Sequence, residues 1–337
     1  MNVRRLISTT AVAGATALGL VSLSACSGTS SAGGDKGGGK LDVVASFYPM
    51  QFLAEQIGGD HVEVTTLTRP GVEPHDLELK PRQATELRGA DYILYLKGVQ
   101  PAVDEAIAQS GVEHTVDAAT LTTMESHGTE VGHDHGHEGG HEGEEHEGGH
   151  EGEEHEGGEH GAEGGTDPHV WLDPVKYAEV AKGVGDSMAK ADPAHAADYR
   201  KNAGTLVGKL KSLDAKFAAG LKNGTTKTFI TTHSAFGYLA ERYGLEQHGI
   251  AGLDPESEPS PARIKELQTV AKQEKVSTIF FETLASDRTA KTLAEDTGLR
   301  TDVLDPLEGI TDRSKGDDYL SVMESNLAAL QKALGTK

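Results

Sequence analysis

Between Ser126 and Gly165 the chain cannot contribute to a packed core. From His137 it reads HEGGHEGEE, HEGGHEGEE, HEGGEH, a nine-residue unit repeated twice and then cut short. Glycine imposes no backbone shape, and the 14 acidic residues between Glu125 and Glu163 meet no Lys or Arg. A folded body must therefore come from the remaining roughly 250 residues, enough for two ordinary domains. The tract also carries a chemical signal. Nine of the chain's 16 histidines lie between His127 and His160. Imidazole and carboxylate are ligands for borderline divalent metals, so low-affinity accessory sites are expected at His133, His135, His137, His141, His146, His150, His155 and His160.

The N-terminus reads as a processing signal. Arg4 and Arg5 precede an apolar stretch, Leu6 to Leu23, that ends in small residues. Leu23-Ser24-Ala25-Cys26 has the form of a bacterial lipobox, which makes Cys26 the expected lipidation site and the first mature residue. Cys26 is also the only cysteine, which excludes internal disulfides and thiolate metal clusters. Residues 27–40 are Gly/Ser-rich and read as a flexible tether. Such a chain is anchored to the outer face of a membrane rather than spanning it. The net charge of −22 argues against a nucleic-acid partner.

Outside the tract, short apolar runs alternate with helical patterns. Leu41–Phe47, Val62–Leu67, Asp91–Leu96 and Glu113–Val116 read as strands on one side; Thr226–Thr232, Glu246–Ile250, Val276–Phe281 and Arg300–Leu304 read as strands on the other. Helical segments fall between them. This alternation predicts an α/β fold with parallel sheets covered by helices, in two copies. Asp173-Pro174 and Asp192-Pro193 each place a capping acceptor before a proline suited to a first helical turn. The second opens a stretch from Pro193 to Leu221 with Leu206, Leu210, Leu213 and Phe217 at helical spacing, read as a stiff connector between the two halves.

Four ligand-capable residues follow strands or precede helices. His75 lies in GVEPHD, His169 in DPHVWLDP, His233 after the TFITT strand, and Asp305 after Val303-Leu304. Loops at the carboxyl ends of parallel strands form the ligand crevice of such domains. Three imidazoles and one carboxylate suit tetrahedral Zn²⁺. The residues are far apart in sequence, however, and a lone loop histidine is more often solvated or capping than a ligand. Glu73 is read as a possible oxygen ligand, and Glu282 as a carboxylate hydrogen-bonded to a liganding imidazole. An ordinary loop-end carboxylate is the alternative for each.

GVEPHD, DPHVWLDP, HSAFGYLAERYGL, PESEPSPARIKEL and VLDPL resemble, in this order, the motifs of the cluster A-I solute-binding proteins of bacterial ABC transporters, which take up zinc or manganese. The resemblance runs from about Leu41 to the C-terminus. It implies two (β/α)-type lobes joined by one long rigid helix, with metal in the interdomain cleft. It also implies His75, His169, His233 and Asp305 as ligands. Manganese-selective members tend to carry Glu at the third position, so His233 favours zinc. The implied layout is a signal peptide over 1–25, lipidated Cys26 and tether to 40, an N-terminal lobe over 41–192 containing the tract, a connecting helix over 193–221 and a C-terminal lobe over 222–337.

The expected function is an extracytoplasmic, lipid-anchored, monomeric receptor that captures Zn²⁺ and delivers it to a membrane permease. Four protein ligands leave no open coordination position, which speaks against an enzyme. Neither HExxH nor GxSxG occurs. A receptor for manganese or another divalent metal, a metal-dependent surface adhesin of the same fold, and a secreted zinc hydrolase are the alternatives.

Overall fold

The computed structural model describes residues 39–127 and 166–336. The expected signal peptide, Cys26, most of the tether and the eight tract histidines from His133 to His160 lie outside the described residues. No helix among the described residues is long and apolar enough to cross a membrane.

The described chain forms two four-stranded parallel sheets of identical order. The first contains β1 (Leu41–Ala45), β2 (Val62–Thr66), β3 (Tyr92–Tyr95) and β4 (Thr115–Asp117), arranged β2-β1-β3-β4. The second contains β5 (Thr228–Thr231), β6 (Glu246–Gly249), β7 (Thr278–Phe281) and β8 (Arg300–Val303), arranged β6-β5-β7-β8. Composition sets these positions. The inner strands LDVVA, YILY, TFIT and TIFF are apolar enough to be covered on both faces. VEVTT, EQHG and RTDV carry charged or polar side chains and take edge positions, where they discourage further pairing.

Alternation along each inner strand divides the core. Val43, Ala45, Tyr92 and Leu94 point to one face of the first sheet, while Val44 and Ile93 point to the other. In the second sheet Phe229 and Phe280 face one way, Ile230 and Ile279 the other. The outer faces are covered separately. α2 (Pro81–Gly89) and α3 (Pro101–Ala108) cover the first, and α7 (Pro261–Gln273) and α8 (Arg288–Thr297) cover the second. The inner faces share one continuous core with α1 (Tyr48–Gly58), α4 (Pro174–Ala191), α5 (Ala196–Gly220), α6 (Gly237–Tyr243) and α9 (Tyr319–Leu334).

The helix α5 is the expected connector. Its buried residues Tyr199, Ala203, Leu206, Leu210, Leu213 and Phe217 recur at intervals of four and three, one stripe of an amphipathic helix. At 25 residues it is about 37 Å long, and it packs against α4 and α1 at one end and α9 at the other. It starts three residues later than the sequence suggests, because Pro193–His195 forms a separate 3-10 turn. Asp192 does not cap that turn with its side chain; its carboxylate is taken by His195 Nδ1 at 2.6 Å and the Tyr199 hydroxyl at 2.7 Å. Asp173 does cap α4, accepting from Val175 and Lys176 backbone N–H. Gly185 of α4 lets the two helices close up: a Cβ there would sit 2.5 Å from Ala203 Cβ.

Candidate metal centre

The carboxyl ends of both sheets face one cleft, and four side chains meet there. His75 comes from the irregular segment after β2, and His169 from the turn before α4. His233 follows β5, and Glu308 lies in the segment after β8. The Nε2 atoms of His75, His169 and His233 lie 3.4, 3.2 and 3.3 Å from one atom, Glu308 Oε1. A tetrahedron with metal–ligand bonds of ~2.0–2.1 Å has edges of about 3.3–3.4 Å, and the three imidazole-to-carboxylate distances match such edges, while all four donors lie within 4.8 Å of one another. His169, His233 and Glu308 are fully enclosed, whereas the His75 side chain is 12% exposed. Nε2 of both His169 and His233 is buried without a hydrogen-bond partner among the described residues. Buried unsatisfied polar atoms are costly, and a metal ion is one arrangement that satisfies them.

The imidazoles are oriented from behind. His169 Nδ1 is 2.8 Å from Asp167 Oδ1, and His233 Nδ1 is 2.8 Å from Glu282 Oε1. With Nδ1–H donating to a carboxylate, the Nε2 lone pair of each ring points into the cleft. Glu282 also accepts from the Thr232 hydroxyl at 2.6 Å, and its contact with the His233 imidazole is the one expected from the sequence. Burial opposes protonation of His169, but the neighbouring carboxylates of Asp167 and Glu308 outweigh it and raise its pKa. Burial is likewise outweighed at His233 by the charges of Glu282 and Glu308, and its pKa is raised well above the ordinary imidazole value. Burial would raise the Glu308 carboxyl, but its three imidazole partners hold it well below the usual range. Glu73 behaves differently. Burial and the charge of Glu308 push it up to about 9, and its Oε1 accepts only the His75 backbone N–H, at 3.2 Å. Its oxygen lies within 4.8 Å of those of Glu282 and Glu308, beside the imidazole cluster rather than in it.

Asp305 differs from its expected place. The carboxylate that meets the three imidazoles is Glu308, three residues on. Asp305 is buried, and its Oδ1 accepts the Leu307 backbone N–H at 2.9 Å. Its Oδ2 accepts the hydroxyls of Ser314 at 2.8 Å and Thr283 at 3.2 Å. The physical reason lies in the turn. Leu307 has φ +60°, a left-handed conformation that a branched side chain rarely adopts. The Asp305 carboxylate closes this turn as aspartate does in an Asx-turn. Buried Asn326 of α9 fixes its base, receiving Asp305 N–H at 3.0 Å and donating to Asp305 C=O at 2.7 Å. The left-handed step then carries Glu308 into the cleft. Asp305 builds the platform for the carboxylate that reaches the imidazoles. Asp-Pro is a turn-initiating pair, so LDPLE held a signal for this arrangement.

Bonds between elements of the two halves frame the cleft. Trp171 Nε1–H donates to Pro306 C=O at 2.7 Å, and the Tyr319 hydroxyl donates to Trp171 C=O. Arg242 of α6 grips Asp173 Oδ2 through Nε at 2.8 Å and Nη2 at 2.6 Å. His61 and His195 stack on each other beside α5, with ring centroids 4.0 Å apart.

Residues 43–333 match the family described as zinc-uptake complex component A, periplasmic. The chain is 37% identical over 322 residues to the high-affinity zinc uptake system protein ZnuA of Bacillus subtilis, covering 94% of each chain. It is 36% identical over 301 residues to the zinc-binding lipoprotein AdcA of Streptococcus pneumoniae, covering 87% of this chain but only 56% of that protein. Its fold superimposes on the Zn(II)-bound ZnuA-like domain of S. pneumoniae AdcA with a TM-score of 0.68 at 34% identity, over 88% of this chain and 99% of that one.

Proposed function

The chain belongs to the zinc-uptake complex component A family, and on that premise we propose that it is an extracytoplasmic receptor that captures Zn²⁺ and delivers it to the membrane permease of an ABC transporter. The observation that carries this reading is the convergence of three Nε2 atoms on one carboxylate oxygen at 3.2–3.4 Å. His75, His169, His233 and Glu308 are the proposed ligands, with Asp167 and Glu282 as their orienting carboxylates. Four protein donors complete a tetrahedral shell and leave no position for a reacting water, the pattern of a holding site rather than a catalytic one. The ligand set is imidazole-rich, which suits zinc better than manganese. Lipidation of Cys26 anchors the receptor, a monomer, to the outer face of the cell membrane, while the tract histidines bind further ions loosely. Deleting the gene and restoring it as wild type or as His169→Ala tests the reading. Wild type should restore growth in zinc-depleted medium and His169→Ala should not; equal rescue by both would refute it.

A further inference from the structure

A second cluster of donors lies at the base of the tract, where the described chain breaks off after His127 and resumes at Thr166. The two ends are held side by side, because Asp167 N–H donates to Glu125 C=O at 2.9 Å. We propose that Glu125, His127 and Glu241 form a second binding site for a divalent cation of the zinc class, distinct from the cleft and built on the same orienting carboxylate.

Asp167 carries the argument. Its side chain is fully buried, and its two oxygens serve two different imidazoles: Oδ1 lies 2.8 Å from His169 Nδ1, Oδ2 2.8 Å from His127 Nδ1. Paired this way, His127 donates from Nδ1 and turns Nε2 outward, the orientation that a buried carboxylate imposes on metal-binding histidines. Two further donors face that nitrogen. Glu241 Oε2 is 2.6 Å away and Glu125 Oε2 3.7 Å away, and one donor atom from each of the three residues lies within 4.8 Å of the others. The Glu241 side chain is 63% exposed and the Glu125 side chain 35%, so solvent cations reach the cluster and Glu241 can withdraw by the few tenths of an ångström that an ion needs.

The surroundings hold His127 in place. A Cβ on Gly237 would sit 2.4 Å from His127 Cβ and 2.8 Å from Asp167 Oδ2, so only glycine lets α6 approach this closely. The Tyr238 ring meets the imidazole edge-on at 4.4 Å. The Tyr238 hydroxyl accepts from Glu125 N–H at 2.7 Å and donates to Asp167 C=O at 3.0 Å. One feature weakens the site relative to the cleft. Lys176 Nζ binds Glu125 Oε1 at 2.6 Å, which offsets part of the negative charge and leaves only Oε2 for a cation. Three protein donors leave one position for water. The second ion is thus held less tightly than the first and exchanges with solvent.

The test uses the full chain with the eight histidines from His133 to His160 replaced by asparagine, so that the tract contributes no imidazole. Equilibrium dialysis against Zn²⁺, with bound metal counted by elemental analysis, should give two ions per chain. His127→Asn should bind one. Glu241→Gln, at an exposed position where misfolding is not expected, should weaken the second ion at least tenfold and leave the first unchanged. His75→Ala should lose the tighter ion and keep the weaker. Thermal unfolding verifies that each variant is folded. One ion per chain that depends on His75 and ignores His127 overturns this inference alone, leaving His127 as a protonated bridge between Asp167 and Glu241. A second ion that survives His127→Asn overturns it too. Loss of the tighter ion from the reference chain would instead count against the proposed receptor function.

Discussion

Replacing Glu308 and Asp305 in turn separates the carboxylate that faces the imidazoles from the one that braces its turn. Glu308→Gln preserves shape and removes charge from a fully enclosed side chain whose Oε1 faces three imidazoles. Removing one partner of a buried ionic pair costs about 3–5 kcal/mol, equivalent to roughly 10²–10⁴-fold in dissociation constant. Glu73 lies close enough to supply a substitute oxygen, so the lower part of that range is expected, on the order of 10²–10³-fold. Asp305→Asn acts elsewhere. It disturbs acceptors for Leu307 N–H and for the Ser314 and Thr283 hydroxyls. It should therefore cost stability, about 1–3 kcal/mol for buried groups left unsatisfied, with less than a tenfold effect on Zn²⁺ binding. Competition against a fluorescent zinc chelator measures affinity, and urea unfolding of the metal-free chain measures stability. Asp305→Asn weakening Zn²⁺ binding as much as Glu308→Gln would refute the assignment of Glu308.

As proposed ligands, His169 and His233 must release protons to zinc, and their pKa values are raised despite burial by Asp167, Glu282 and Glu308. Affinity should therefore fall as pH falls, beginning above the usual ~6.5 for histidine and by up to roughly 100-fold per pH unit when two protons are displaced; equal affinity in titrations at pH 7.5 and 5.5 would contradict this. Asp167→Asn and Glu282→Gln should each weaken Zn²⁺ binding by about 10–100-fold, the usual effect of removing an orienting partner, and an unchanged dissociation constant for either would remove that role. Trp171 is fully buried with its ring centroid 5.2 Å from that of His169, so its emission should change on Zn²⁺ addition and not in His169→Ala. Gly185→Ala should lower unfolding free energy by about 1–3 kcal/mol through the clash with Ala203, and a wild-type urea midpoint would show that the α4–α5 contact relaxes freely.

The fold was legible because its inner strands are short, apolar and β-rich, and each is set off by turn residues. The eight expected strands match those observed to within two residues at either end. The three histidines were legible because each falls beside a strand end or helix entrance, where parallel architectures gather ligands. Glu308 was not. Its approach depends on a left-handed residue, Leu307, that no propensity favours and that only the Asp305, Ser314 and Asn326 contacts make tenable. Asp167 opens the DPHVWLDP motif, yet its double duty is not legible there, because His127 and His169 meet it from opposite sides of the tract. Sequence proximity shows which residues share a turn. It does not show which distant residue shares a carboxylate.

His75 stands apart from the other donors in a way that bears on timing. His169 and His233 are each tied to a buried carboxylate, and Glu308 rides on a turn fixed to α9. Among the described residues, Nδ1 of His75 has no such tie, and its segment, residues 67–80, contains neither helix nor strand. Val72, the one large apolar side chain exposed among the described residues, lies three positions before it. Three walls of the cup are thus braced from behind, and the fourth, at the solvent face, lacks such a brace. With these four as ligands, equilibrium affinity would be set by all of them together, whereas the lifetime of a held ion would be set by the donor that is least braced. A receptor built this way would bind tightly and still unload through displacement of one imidazole, with the core shared by both halves left undisturbed.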